Sequence, residues 1–124
     1  MNVNEINAAV LAYAGDAAYE LRIRHSLIDK GFNNVNELQT RAIRYVSATA
    51  QAALLDKLLG VGILTDDELY TINRARNYHP RSKPKNTDIK TYKKATAFEA
   101  LFGMHYLMGN NERLDELMKV ILGD

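Results

Sequence analysis

VLAYAGDAAYELRIR, residues 10–24, is a run of small and apolar side chains with one carboxylate, Asp16, at its middle. Val10, Leu11, Ala14, Ala17, Ala18 and Leu21 recur at the i, i+3, i+4, i+7 spacing of a helical face. The helix they predict spans 5 to about 29. Ala12, Tyr13, Tyr19 and Glu20, three and four residues from Asp16, share its side of that helix. The acid therefore does not sit in a solvated charged stripe. Gly15 beside it costs about 1 kcal/mol of helix propensity relative to alanine, which points to a close approach by another helix or a ligand. A carboxylate in such surroundings needs a partner.

Outward from this stretch the pattern stays helical. Gly31 is placed to end the first helix. Asn36 with Gln39 opens a second, to about residue 45, and Ser47 caps a third over 48–59. Thr65 with Glu68 forms a capping box for a fourth, to about residue 77. HPRSKPKN, residues 79–86, holds both prolines and is the clear loop. A long helix follows over 88–108. Asn110 or Asn111 then caps a last one, whose Leu114, Leu117, Met118, Ile121 and Leu122 lie on one stripe. No period-2 strand and no internal repeat is visible. The expected fold is all-α, about six helices, in a single domain over 1–124.

The 124 residues contain no cysteine, which excludes disulfides and thiolate metal sites and fits a reducing cytoplasm. The N-terminus lacks the basic and apolar segments of a secretory signal, and no apolar run approaches the ~18 residues of a membrane span. Charge is uneven. Eight of the sixteen Lys and Arg residues fall between Arg74 and Lys94, with Asp88 the only acid among them. That segment carries +7 in a chain of net +1, leaving −6 elsewhere. Such a split is the footprint of an anionic partner, most often nucleic acid. A solvated loop that only aids solubility is the alternative reading of the same charges.

KKATAFEALFGMHYLM, residues 93–108, repeats the design of the opening stretch: one acid, Glu99, in an otherwise small and apolar helix, with Gly103 one turn on. Packed together, the two helices bring Asp16 and Glu99 face to face. Two close carboxylates repel, and a divalent cation relieves the repulsion. Hard cations take oxygen ligands, and Mg²⁺ uses one or two carboxylates with water and phosphate. The competing reading pairs each acid with a buried Arg or with backbone donors. His25 and His105 lie off the faces of the two acids and read as structural or surface residues. Glu20 with Arg24 is an i,i+4 surface pair. Tyr13 and Tyr19 either line the site or pack, and packing is the simpler expectation. His79 lies in the basic loop.

YAGDA, residues 13–17, resembles the signature helix of the ribonuclease III family, and TAFEALFG, residues 96–103, resembles that family's second acidic helix. The similarity is greatest to the family's short bacterial branch, Mini-ribonuclease III, which lacks the double-stranded-RNA-binding domain. RARN at 74–77, PKNTD at 84–88 and Tyr92 look like that branch's basic loop. Full-length members carry two more acids, at the positions of Ala12 and Thr96. The resemblance implies a Mg²⁺-dependent endoribonuclease that hydrolyses double-stranded RNA to 5′-phosphate and 3′-hydroxyl ends. It implies Asp16 and Glu99 as the catalytic and metal-binding residues. Phosphate contacts are then expected from Arg74, Arg76, Asn77, Arg81, Lys83, Lys85 and Lys90. It further implies a homodimer, a cytoplasmic location without membrane contact, and maturation of large-subunit (23S) ribosomal RNA precursors. The loss of two acids would suit a catalytically silent RNA-binding or ribosome-associated domain, against which the retention of Asp16 and Glu99 argues; in a helical dimerisation module with an incidental basic loop, neither motif would need its acid.

Overall fold

A computed structural model describes residues 1–79 and 88–123. After a short 3₁₀ turn, Val3–Glu5, come six helices: α1 (Ala8–Asp29), α2 (Val35–Val46), α3 (Ala48–Val61), α4 (Asp66–Arg76), α5 (Ile89–Met108) and α6 (Asn111–Leu122). No strand occurs among the described residues. The fold is all-α, as the periodicity required.

Capping chemistry explains where five of the six helices begin. Asn7 accepts from Ala9 N–H at 2.7 Å, so α1 starts at Ala8 and not at residue 5. Asn34, not Asn36, caps α2, accepting from Glu37 N–H at 3.1 Å. Ser47 caps α3 through Ala50 N–H. Thr65 and Glu68 exchange both bonds of the expected capping box. Asp88, the one acid of the basic segment, accepts from both the N–H and the hydroxyl of Thr91 at 2.9 Å. Those bonds hold its carboxyl below the usual range. Asn110 precedes α6 without a side-chain cap. Its amide donates instead to His105 Nδ1 at 3.1 Å.

α5 is the central element and packs against α1, α3, α4 and α6. From Ala95 to His105 every residue except Glu99 is buried. A helix apolar on all sides belongs in the middle of a core. Tyr19 of α1 meets Phe98 and Phe102 of α5 at centroid distances of 4.8 and 4.9 Å, edge to face. The Tyr19 hydroxyl donates to Tyr45 O at 2.8 Å, tying in the end of α2.

The buried face of α1 is Ala8, Leu11, Ala12, Gly15, Tyr19, Ile23 and Leu27. This corrects the expected stripe: of that set only Leu11 is buried, while Val10, Ala17 and Leu21 are exposed. α1 is apolar on two opposite faces, so spacing alone selected a mixture of both. Gly15 and Gly103 decide which face turns inward. A Cβ on Gly15 would overlap the Glu99 carbonyl, and one on Gly103 the Leu11 carbonyl. The two backbones touch at these glycines, running in opposite directions.

A second fastening holds the far end. Glu68, 1% exposed, accepts from Arg113 Nε at 2.8 Å and Nη2 at 2.7 Å, and lies 2.6 Å from His105 Nε2. Arg113 also donates to Ile63 O at 2.7 Å. Burial pushes the Glu68 carboxyl up, but the bonds from Arg113, His105 and Thr65 N–H outweigh it and hold it well below the ordinary range. His105 is thus a buried structural residue joining α5 to α4.

Candidate active site

The glycine contact dictates the site. Gly15 is seated on the carbonyl of Glu99, and Asp16 is the next residue. The two acids expected to meet do meet, at the seam of the two helices. Together with Ala9, Ala12, Tyr13, Tyr78, Tyr92 and Thr96 they line a cleft of about 200 Å³. Asp16 is exposed at its mouth, and Glu99 is half-buried behind it.

Electrostatics mark the pair. Burial, and then the hydrogen-bonding proximity and charge of Asp16, push the Glu99 carboxyl up to about 9. A carboxyl pushed up in this way keeps its proton at neutral pH, and a nearby cation would favour its charged form. The donor set is oxygen only, as a hard divalent cation requires, so the residues present fit such an ion. Among the described residues no group of three or more His, Cys, Asp or Glu side chains gathers to hold a metal. The site offers two carboxylates. Ala12 and Thr96 occupy the same cleft, with Thr96 Oγ1 donating to Tyr92 O at 2.9 Å instead of facing the acids as a ligand.

Other sequence-derived residues distribute as follows. Asn77 and Lys90 are exposed and Arg76 is half-buried; none of the three lines the cleft, but they are near neighbours in the chain of two residues that do, Tyr78 and Tyr92. Arg74 does not join them. Its guanidinium donates to Ile6 O and to Val3 O at 3.1 Å, because α4 lies against the N-terminal turn, whose carbonyls need donors. It is a fastening for that turn and not a free phosphate contact. Lys94 is engaged by Asp56 of α3 at 3.0 Å. Arg81, Lys83 and Lys85 lie outside the described residues, as does most of the expected loop. His25 pairs with Asp29 at the surface, and Glu20 with Arg24 at 2.7 Å. Tyr19 packs as expected, but Tyr13 does not: it is 84% exposed at the cleft edge. Tyr78 went unremarked in the sequence, as did Gln51 of α3, whose amide lies beside the Glu99 carboxylate and favours its charged form. Neither has a local signature; each is brought in by a helix distant in the chain.

With this geometry in view, the comparisons with known proteins are direct. The Ribonuclease III domain family matches residues 9–110, a span that includes both acids and both glycines. The chain belongs to the ribonuclease III family, and it is an endoribonuclease acting on RNA. Its similar relatives are proteins called Mini-ribonuclease 3. That of Streptococcus pneumoniae is 42% identical over 95% of this chain and 92% of its own length. That of Brevibacillus brevis is 46% identical over 94% and 85%. A crystal structure of a Fusobacterium nucleatum protein superposes with a TM-score of 0.85 at 27% identity, covering 97% of this chain and 96% of that one.

Proposed function

We propose that Asp16 and Glu99 together hold Mg²⁺ and that the protein uses it to hydrolyse phosphodiester bonds in double-stranded RNA, leaving 5′-phosphate and 3′-hydroxyl ends. The observation that carries this is the carboxylate pair in one open cleft, with the Glu99 carboxyl pushed up by burial and by Asp16 beside it. Bound there, Mg²⁺ supplies an activated water and stabilises charge on the phosphoryl oxygens. Glu99 would hold the ion as a carboxylate, and Asp16, exposed in the same cleft, would be its second protein ligand. Arg76, Asn77 and Lys90 hold neighbouring phosphates, joined by Arg81, Lys83 and Lys85. A-form RNA is recognised mainly by shape, phosphate and 2′-hydroxyl contacts, so sequence preference is weak. The branch resemblance extends the reading to large-subunit (23S) ribosomal RNA precursors as natural substrate, in the cytoplasm.

The same reading includes a homodimer. Val10, Tyr13, Leu21 and Ile28, all more than half exposed, line the outer face of α1. A helix apolar on opposite faces calls for cover on both. The outer face continues to the edge of the cleft through Tyr13, and an isologous pair would present two cuts to the two strands of a duplex.

Incubation of purified protein with a labelled RNA duplex, with and without Mg²⁺, tests the proposal. Metal-dependent cleavage with 5′-phosphate ends is expected. Equal cleavage in the presence of a chelator, or preference for single strands, would overturn it.

A further inference from the structure

Three of the chain's seven tyrosines, Tyr13, Tyr78 and Tyr92, are among the eight residues that line the cleft of Asp16 and Glu99. Each comes from a different part of the fold. Tyr92 stands one turn before Thr96 and two before Glu99 on α5, so the i, i+4, i+7 register sets all three on one face. Tyr78 follows α4, where its N–H donates to Ala75 O at 3.2 Å, and it packs partly against the core. Tyr13 lies on the outer face of α1 assigned above to the dimer. The rest of the lining, the two acids apart, is Ala9, Ala12 and Thr96, and no Lys, Arg or His among the described residues joins it. Thr96 is buried, and its hydroxyl is committed to Tyr92 O. In the core the Tyr19 hydroxyl is bonded to Tyr45 O. The hydroxyls of the half-buried Tyr78 and Tyr92 have no such bond among the described residues.

We propose that Tyr78 and Tyr92 read the sugar of the bound strand, their hydroxyls bonding the ribose 2′-hydroxyls next to the phosphate held at Asp16 and Glu99. This rests on the reading of that cleft as the catalytic site. The chemistry of the lining selects this ligand group. A phosphate oxygen is charged and only accepts, so it calls for cations, and none lines the cleft among the described residues. A phenol is a neutral group that both donates and accepts. The 2′-hydroxyl is its match, donor and acceptor at once, and it is the group that distinguishes RNA from DNA. Tyrosine also suits the task mechanically. Its ring has two torsions, so a hydroxyl carried on it loses little freedom when it binds. The two residues act on the choice of substrate and not on the metal.

The test compares two substrates. The cut is first mapped on a labelled RNA duplex. A second duplex carries 2′-fluoro sugars at the nucleotides flanking that bond, which removes the hydroxyls and keeps the A-form pucker. On both, kcat/KM is measured for the parent, Tyr78→Phe, Tyr92→Phe and the double variant, together with the half-maximal Mg²⁺ concentration and the melting temperature. A hydrogen bond of ordinary net strength corresponds to roughly five-fold in rate. The parent should prefer the all-ribose duplex by about that factor for each hydroxyl read. Each single variant should lose about five-fold on the all-ribose duplex and nothing on the fluoro duplex, so that the double variant cuts both alike. Metal requirement and melting stay at parental values. A parent that cuts both duplexes alike, or a double variant that keeps the preference, overturns the inference. So does an equal loss on both duplexes, the mark of a phosphate contact or of packing. Asp16→Asn is the control: if it cuts as the parent does, the reading of the cleft fails and this inference with it.

Discussion

Asp16 and Glu99, the two carboxylates proposed to carry the chemistry, differ in exposure. Asp16→Asn and Glu99→Gln should each abolish cleavage without preventing folding, as a duplex-cleavage assay and circular dichroism would show. Near-parental cutting by either variant would remove that acid from the site. Glu99 also makes a stability prediction. Its carboxyl has a folded pKa near 9, above the ordinary 4.5. A group raised in this way favours folding fully below its unfolded pKa, and that contribution is lost as pH rises towards the folded value. The metal-free parent should therefore lose stability between about pH 5 and pH 9, by on the order of a few kcal/mol. Glu99→Gln lacks that charge, so its melting temperature should exceed the parent's by a margin that widens over the same interval. Saturating Mg²⁺ should narrow it. A margin independent of pH would mean that Glu99 is ionised in the free protein.

At the scale of the helix, the pairing of α1 with α5 is set by glycine. Gly15→Ala puts a methyl group into the Glu99 carbonyl, and backbone gives way less readily than a side-chain tip. Overpacking of a core costs about 1–3 kcal/mol and at times more, and this site is at the upper end. Urea denaturation of Gly15→Ala and Gly103→Ala should show losses of that size, against little change for Gly60→Ala, where a Cβ meets open space. At the other end of the bundle, Glu68→Ala leaves Arg113 and His105 without their carboxylate. Breaking a buried pair on one side typically costs about 3–5 kcal/mol, and thermal melting should register it. The helices themselves were legible in the sequence because caps are local: Ser47, Thr65 and Asp88 announce their helices within three residues. The two acids were legible because each stands alone in an apolar run. What escaped was non-local. The roles of Gln51, Tyr78 and Arg74 depend on which helix lies against which, and the inner face of α1 could not be chosen by period when both faces were apolar.

For the whole molecule, the outer face of α1 sets the expected assembly. Leu21, 69% exposed, lies on it away from both acids, so Leu21→Asp should shift the protein from dimer to monomer in analytical ultracentrifugation. A dimer that survives the charge would place the interface elsewhere. The site itself asks for no closing movement, because the seam that makes the core also fixes the distance between the acids. The contact of Gly15 with the Glu99 carbonyl leaves no hinge between scaffold and chemistry. Heat should consequently silence the enzyme and melt it along one and the same curve, with no temperature at which an intact bundle has lost its cutting edge.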